Sequence, residues 1–131
     1  MGRIMVAITV TNVFEPTKQV RCEALVDTRA YGLVLPLAWR DRLGPLPYAR
    51  SVDLETADAR TVVGLVCGPV TIHLDGFDTI SGEVTFLETG DGETTSEALV
   101  GHTVLQRARA AVDLVHDRLV RLRHLDLKIA S

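Results

Sequence analysis

The stretch Ala24–Pro36, reading ALVDTRAYGLVLP, constrains the fold of this chain more than any other. One apolar run, Ala24-Leu25-Val26, drives straight into Asp27-Thr28. A second, Leu33-Val34-Leu35, ends at Pro36. Burying a carboxylate inside an apolar strand is costly unless its charge is compensated. Asp27 is therefore solvated at a turn, paired, or chemically active. As a turn residue it has a simple explanation, because Asp and Thr side chains both hydrogen-bond the local backbone.

The remaining chain reads mostly as strands. Ile4, Val6, Ile8 and Val10 alternate on one face, the period-2 signature of a half-buried strand. Asn12 to Lys18 carries turn residues, and Val20 to Val26 forms a second strand. Leu33 to Leu35 is a third. Pro36 to Leu43 has the length of a short helical turn, stopped by Gly44-Pro45. Val52–Thr56 and Thr61–Cys67 flank Ala57-Asp58-Ala59-Arg60 as a hairpin. Val70 to Leu74 ends at the turn pair Asp75-Gly76, and Glu83 to Leu87 is a further strand. Thr89 to Ser96 reads as an exposed loop. Ala98 to Gly101 is apolar, and His102 to Arg109 has helical spacing. Ala111–Val115 and Arg118–Leu122 form a last hairpin around His116-Asp117. Many short strands with one or two short helices indicate an all-β barrel or sandwich, in one domain spanning 1–131.

Composition removes several function classes. The net charge of -3 gives no general attraction to nucleic acid. The basic run Arg118 to His124 alternates with apolar residues and reads as one polar strand face. No apolar run approaches about 18 residues, so no membrane span is expected. The amino terminus alternates like a strand rather than presenting a leader's apolar core, and the cytoplasm is the default compartment. Cys22 and Cys67 lack metal-type spacing and read as reduced, half-buried thiols. His73, His102, His116 and His124 show no paired zinc spacing, so no metal or other cofactor is expected. Ser51, Ser81 and Ser96 lack a nucleophile-elbow context. Asp113 reads as a solvent-facing residue of its hairpin.

The Ala24–Pro36 stretch resembles the active-site strand and turn of retropepsin-like aspartic proteases. In that family an apolar strand leads into Asp-Thr-Gly-Ala and then Leu-x-Leu-Pro. Ala24-Leu25-Val26, Asp27-Thr28, Ala30 and Leu33-Val34-Leu35-Pro36 match it. Other pieces fall in the family's order. The Val52–Cys67 hairpin resembles the flap that covers bound peptide. Leu99-Val100-Gly101 and Leu105 resemble the element under the catalytic turn, which completes its Ψ-shaped loop. Val112-Asp113 and Leu119-Val120 resemble the closing hairpin of bacterial members.

The resemblance implies a small closed barrel and a homodimer in which each subunit supplies one aspartate. Two carboxylates held close share a proton. The ionised one then acts as general base on a water, and the protonated one as general acid. Asp27 would form the dyad, and Thr28 would brace it across the two-fold axis. Arg29, Ala30 and the flap residues Ala57, Asp58, Ala59 and Arg60 would contact an extended peptide or protein substrate. The segments Gly2–Val6 and Leu125–Ile129 are candidates for the dimer interface.

Two positions depart from the family. Arg29 replaces the Gly of Asp-Thr-Gly, adding bulk and a permanent positive charge. Near the dyad, that charge favours two ionised carboxylates and removes the acid half of the mechanism. Ala59 stands where members often carry a flap-tip Gly. Two readings stay open: a homodimeric aspartic endopeptidase, or an inactive peptide-binding or dimerisation module on the same fold. In the second, Arg29 pairs with a partner's Asp27 as a structural salt bridge.

Overall fold

The protein is described by a computed structural model covering residues 3–55, 59–88 and 97–122. Strand β1 (Met5–Asn12) shows the expected alternation, with Val6, Ile8, Val10 and Asn12 buried. It pairs antiparallel with β2 (Gln19–Val26), from Met5 opposite Leu25 to Thr11 opposite Gln19. Strand β3 (Leu33–Pro36) leads into a 3-10 helix, Leu37–Leu43. That helix ends at Gly44, whose φ of 69° is the left-handed geometry glycine tolerates. A hairpin follows, β4 (Tyr48–Glu55) and β5 (Thr61–Leu74), and then β6 (Thr79–Leu87). Short β7 (Ala98–Val100) precedes helix α1 (His102–Arg107) and the hairpin β8 (Ala110–Asp113) and β9 (Arg118–Arg121).

Among the described residues six strands close a barrel in the order β1-β2-β7-β3-β6-β5, with β5 returning to β1. The expected all-β closed barrel with short helices is therefore what forms. Its interior is apolar, with Ile8, Val10, Leu35, Leu74 and Phe86 almost fully buried. Closure gives each of those six strands a partner on both sides along at least part of its length, which an open sheet would deny its outer strands. Strand β4 lies outside the ring on the first half of β5, so this hairpin projects from the barrel.

Several boundaries differ from the sequence reading. Thr61–Cys67 and Val70–Leu74 are one continuous strand, not two. The pairing with β6 shifts register between Cys67 and Val70, where Gly68-Pro69 sits in a bulge. Proline is tolerated within sheets at bulges, so these two breakers bend the strand without ending it. The bend lets one strand serve β4 at one end and β1 at the other. Strand β6 starts at Thr79, ahead of the expected Glu83, and α1 stops at Arg107, because Arg109 adopts a φ of 59°. Strand β8 ends at Asp113, short of the expected Val115. The Asp113 carboxylate accepts hydrogen bonds from the Val115 and His116 backbone N–H groups and from Arg118, so it is the turn's clamp and not a free surface charge. The loop Thr89–Ser96, His124 and the segment Leu125–Ile129 lie outside the described residues.

Asn12, a turn residue by its sequence context, is fully buried. Its Nδ2 donates to the carbonyls of Leu43 (2.8 Å) and Pro45 (3.0 Å). Its Oδ1 accepts from the N–H groups of Phe14 (2.8 Å) and Glu15 (3.1 Å). A buried amide is stable only when satisfied in this way. It ties the β1–β2 turn to the end of the 3-10 helix.

Candidate active site

The barrel topology fixes the position of Asp27. Strand β2 runs parallel to β7, with Val26 opposite Val100. The Asp27 N–H continues the ladder by donating to the Val100 carbonyl at 2.9 Å. The chain then turns, with the Ala30 N–H donating to the Asp27 carbonyl at 3.0 Å. It returns as β3, antiparallel to the other edge of β7. Strand β7 is thus clasped between the strand entering the turn and the strand leaving it.

The turn is bolted to the start of α1. The first N–H groups of a helix lack intrahelical partners. Here the His102 N–H donates to the Ala30 carbonyl (3.0 Å) and the Thr103 N–H to the Tyr31 carbonyl (2.9 Å). The Thr103 hydroxyl donates to the same Tyr31 oxygen at 2.6 Å. The turn's own carbonyls therefore replace a side-chain cap, and Gly101 makes none. The Gly101 N–H donates to the Gly32 carbonyl at 2.9 Å. A Cβ on Gly101 would sit 2.3 Å from the Ala30 oxygen, so only glycine allows this approach.

The Asp27 side chain is 19% exposed and that of Arg29 is 83% exposed. Asp27 Oδ1 accepts from the Arg29 backbone N–H at 3.0 Å and from its Nε at 3.1 Å. Oδ2 accepts from Nη2 at 3.4 Å. Burial works against ionisation of Asp27, but the Arg29 hydrogen bonds and charge outweigh it and hold the carboxyl below its usual range. The guanidinium is closed on the aspartate of its own chain.

Thr28 is exposed on the turn and Ala30 is half-buried. Ala59 and Arg60 follow the tip of the β4–β5 hairpin, while Ala57 and Asp58 lie outside the described residues. The sequence gives Tyr31 and Thr103 no role and marks His102 only as a helix start without zinc spacing. His102 Nδ1 lies 3.1 Å from the Ala30 carbonyl, which can only accept, so this nitrogen carries the proton. Its ring meets the Tyr31 ring edge-on, 5.5 Å between centroids. The only sequence signal for these contacts was adjacency, since the residues directly follow the two segments already chosen. Among the described residues no group of His, Cys, Asp and Glu is arranged to hold a metal ion. No helix there is long and apolar enough to cross a membrane.

The sequence matches no protein-family model and no curated protein. Solved structures do match. EIAV protease complexed with the inhibitor HBY-793 superposes with a TM-score of 0.59 at 19% identity, over 81% of this chain and 88% of that one. The retroviral protease-like domain of Ddi1 from Leishmania major gives 0.52 at 19% identity, over 92% and 90%. The fold is the retropepsin fold. In this retropepsin fold the β2–turn–β3 segment around β7 is the Ψ-shaped element expected from the sequence, with Asp27 at its turn.

The hairpin of this retropepsin fold carries one local irregularity. Ala59 adopts a φ of 66°, a left-handed conformation that costs a residue with a Cβ roughly 1–2 kcal/mol. Glycine avoids that strain but has more entropy to lose on folding. Ala59→Gly should therefore stabilise the protein slightly, by up to about 1 kcal/mol. Urea denaturation followed by circular dichroism reads the change. A loss of stability would show that the hairpin does not hold Ala59 in this conformation.

Proposed function

We propose that the chain is one subunit of a homodimeric aspartic endopeptidase, with Asp27 of each subunit forming the catalytic dyad. The observation that carries this reading is the half-buried Asp27 carboxylate, held at a turn that Val100 and the start of α1 fix by backbone hydrogen bonds. One subunit offers a single such carboxylate, and general acid–base hydrolysis needs a base and an acid together. Across a two-fold axis the pair would titrate as a unit, one carboxylate activating water and the other donating to the scissile carbonyl. Thr28, exposed on the same turn, would brace the two loops. The hairpin tip at 57–60 would cover an extended peptide, which binds by adding backbone hydrogen bonds as a strand does.

Arg29 sets the condition under which this chemistry runs. Its guanidinium favours the ionised form of Asp27, so the singly protonated dyad forms only at more acid pH than it would without Arg29. The side chain is mostly in solvent, where an ion pair is screened and easily opened. Substrate can displace it. A second reading is favoured by the same contact. Because Arg29 engages both Asp27 oxygens, the dimer would be an inactive peptide-binding or dimerisation module if the clamp stays shut.

Two measurements on the full chain separate these outcomes. Sedimentation equilibrium at micromolar concentration should show a dimer. Incubation with a mixed peptide library at about pH 4–6, where a coupled carboxyl pair retains one proton, should show internal cleavage. A dimer that binds peptides without cutting them establishes the second reading. A monomer at all concentrations overturns both.

A further inference from the structure

A cavity of about 360 Å³ opens beside the Asp27 turn, between α1 and strands β5 and β6. Its floor is apolar: Leu33, Ile72, Ile80 and Val104 are all buried core residues. Its rim is polar, with Tyr31, Thr103, Glu83 and Arg107. The space exists partly because residue 82 has no side chain. A Cβ there would meet only Arg107 Nη1 at 3.5 Å and Ile72 Cδ1 at 3.6 Å, both ordinary contacts.

The two rim charges are not equivalent. Glu83 is engaged, accepting the Tyr48 hydroxyl at 2.7 Å and facing Arg50 at 3.6 Å. Arg107 donates to the Ser81 carbonyl and has no carboxylate partner among the described residues. That bond anchors the guanidinium over Gly82 and leaves its charge uncompensated. Guanidinium forks match carboxylates in shape and charge. The volume lies at the small end of ligand sites, about 300–1,000 Å³, which excludes large cofactors.

We infer that this cavity binds a small ligand joining an apolar group of side-chain size to a carboxylate, the apolar group on the Leu33–Val104 floor and the carboxylate on Arg107. Two sources share this chemistry, the C-terminal residue of a peptide and a free carboxylic acid. The site does not rest on the peptidase reading. Tyr31 at its rim lies four positions after Asp27, at most about 14 Å of extended chain. A ligand there would press on the carbonyls that hold α1 to the turn.

The test is a backbone-amide NMR titration of the full chain with N-acetyl-leucine, with uncharged N-acetyl-leucinamide, and with a short peptide ending in leucine. The acid should shift Gly32, Gly82 and Thr103 and bind at least about tenfold tighter than the amide, the worth of a charged hydrogen bond. Arg107→Gln should erase that difference. Gly82→Val should crowd the cavity and weaken binding, and Gly82→Ala, whose Cβ makes only ordinary contacts, should keep a folded spectrum. Tighter binding of the peptide than of the acid identifies a chain end as the ligand, and equal binding identifies a free acid. Both outcomes support the site. Equal binding of acid and amide, shifts confined to other residues, or no shifts at all would overturn it.

Discussion

Gly101→Ala should destabilise this protein by at least about 3 kcal/mol, the upper range for overpacking, and leave it largely unfolded at 37 °C. The added Cβ would meet the Ala30 oxygen at 2.3 Å, the Ala30 carbonyl carbon at 2.6 Å and the Gly32 nitrogen at 2.7 Å. All three are backbone atoms, so no rotamer change relieves the clash. The turn would have to move, and it is tied down by the Gly101, His102 and Thr103 N–H bonds to Gly32, Ala30 and Tyr31. Relief by movement therefore breaks several hydrogen bonds at once. With a domain stability of about 5–15 kcal/mol, the loss is a large fraction of the total. Gly82→Ala is the control: its Cβ has only 3.5 Å and 3.6 Å neighbours, and it should stay folded. Equal melting temperatures for Gly101→Ala and the parent would mean that the turn does not cross Gly101 as closely as described.

This contrast shows which parts of the molecule were legible in its residues. Strand faces were, because a period of two reports inside and outside directly. Val6, Ile8 and Val10 are buried as their alternation requires. The position of Asp27 was legible because an apolar strand cannot carry a carboxylate through its middle. What escaped depends on partners distant in sequence. Gly68-Pro69 looks like a strand end by local rules, but pairing with β1, β4 and β6 carries β5 through the bulge without a break. Asp78 receives Arg109 Nη2 at 2.7 Å and Arg121 Nη2 at 2.6 Å, pinning the β8–β9 hairpin to the β5–β6 turn. Those residues lie 31 and 43 positions apart, and no spacing rule links them. A lone two-stranded sheet is marginal in water, so such clasps supply what the hairpin lacks. At the site, the identity of Arg29 was plain, but the way its side chain folds back is a rotamer choice that no sequence pattern encodes.

Arg29→Gly should raise peptide cleavage at pH 5 by about tenfold, the order of a charged hydrogen bond, and Asp27→Asn should abolish cleavage at every pH. The direction follows from the forces on Asp27. Burial raises its pKa, and the Arg29 side-chain bonds, backbone bond and charge lower it further than burial raises it. Glycine keeps the backbone N–H and removes the guanidinium. The Asp27 pKa then rises, and a dyad of the proposed kind would stay singly protonated to higher pH. The stability effect has the opposite sense. A carboxyl whose folded pKa is depressed contributes stability that is present above its unfolded pKa, near 3.9, and is lost as pH falls through the folded value. Removing Arg29 deletes that contribution, so the variant should gain activity near pH 5 while losing its small excess stability there. Carbon-13 titration of the Asp27 carboxyl reads the first change, and urea denaturation at pH 5 and at pH 2 reads the second. A parent that cleaves as well as Arg29→Gly, with an Asp27 midpoint that does not move, would show that the guanidinium stands away from the carboxylate in solution. A variant with the raised midpoint but no cleavage would place the defect elsewhere in the dimer and favour the inactive module.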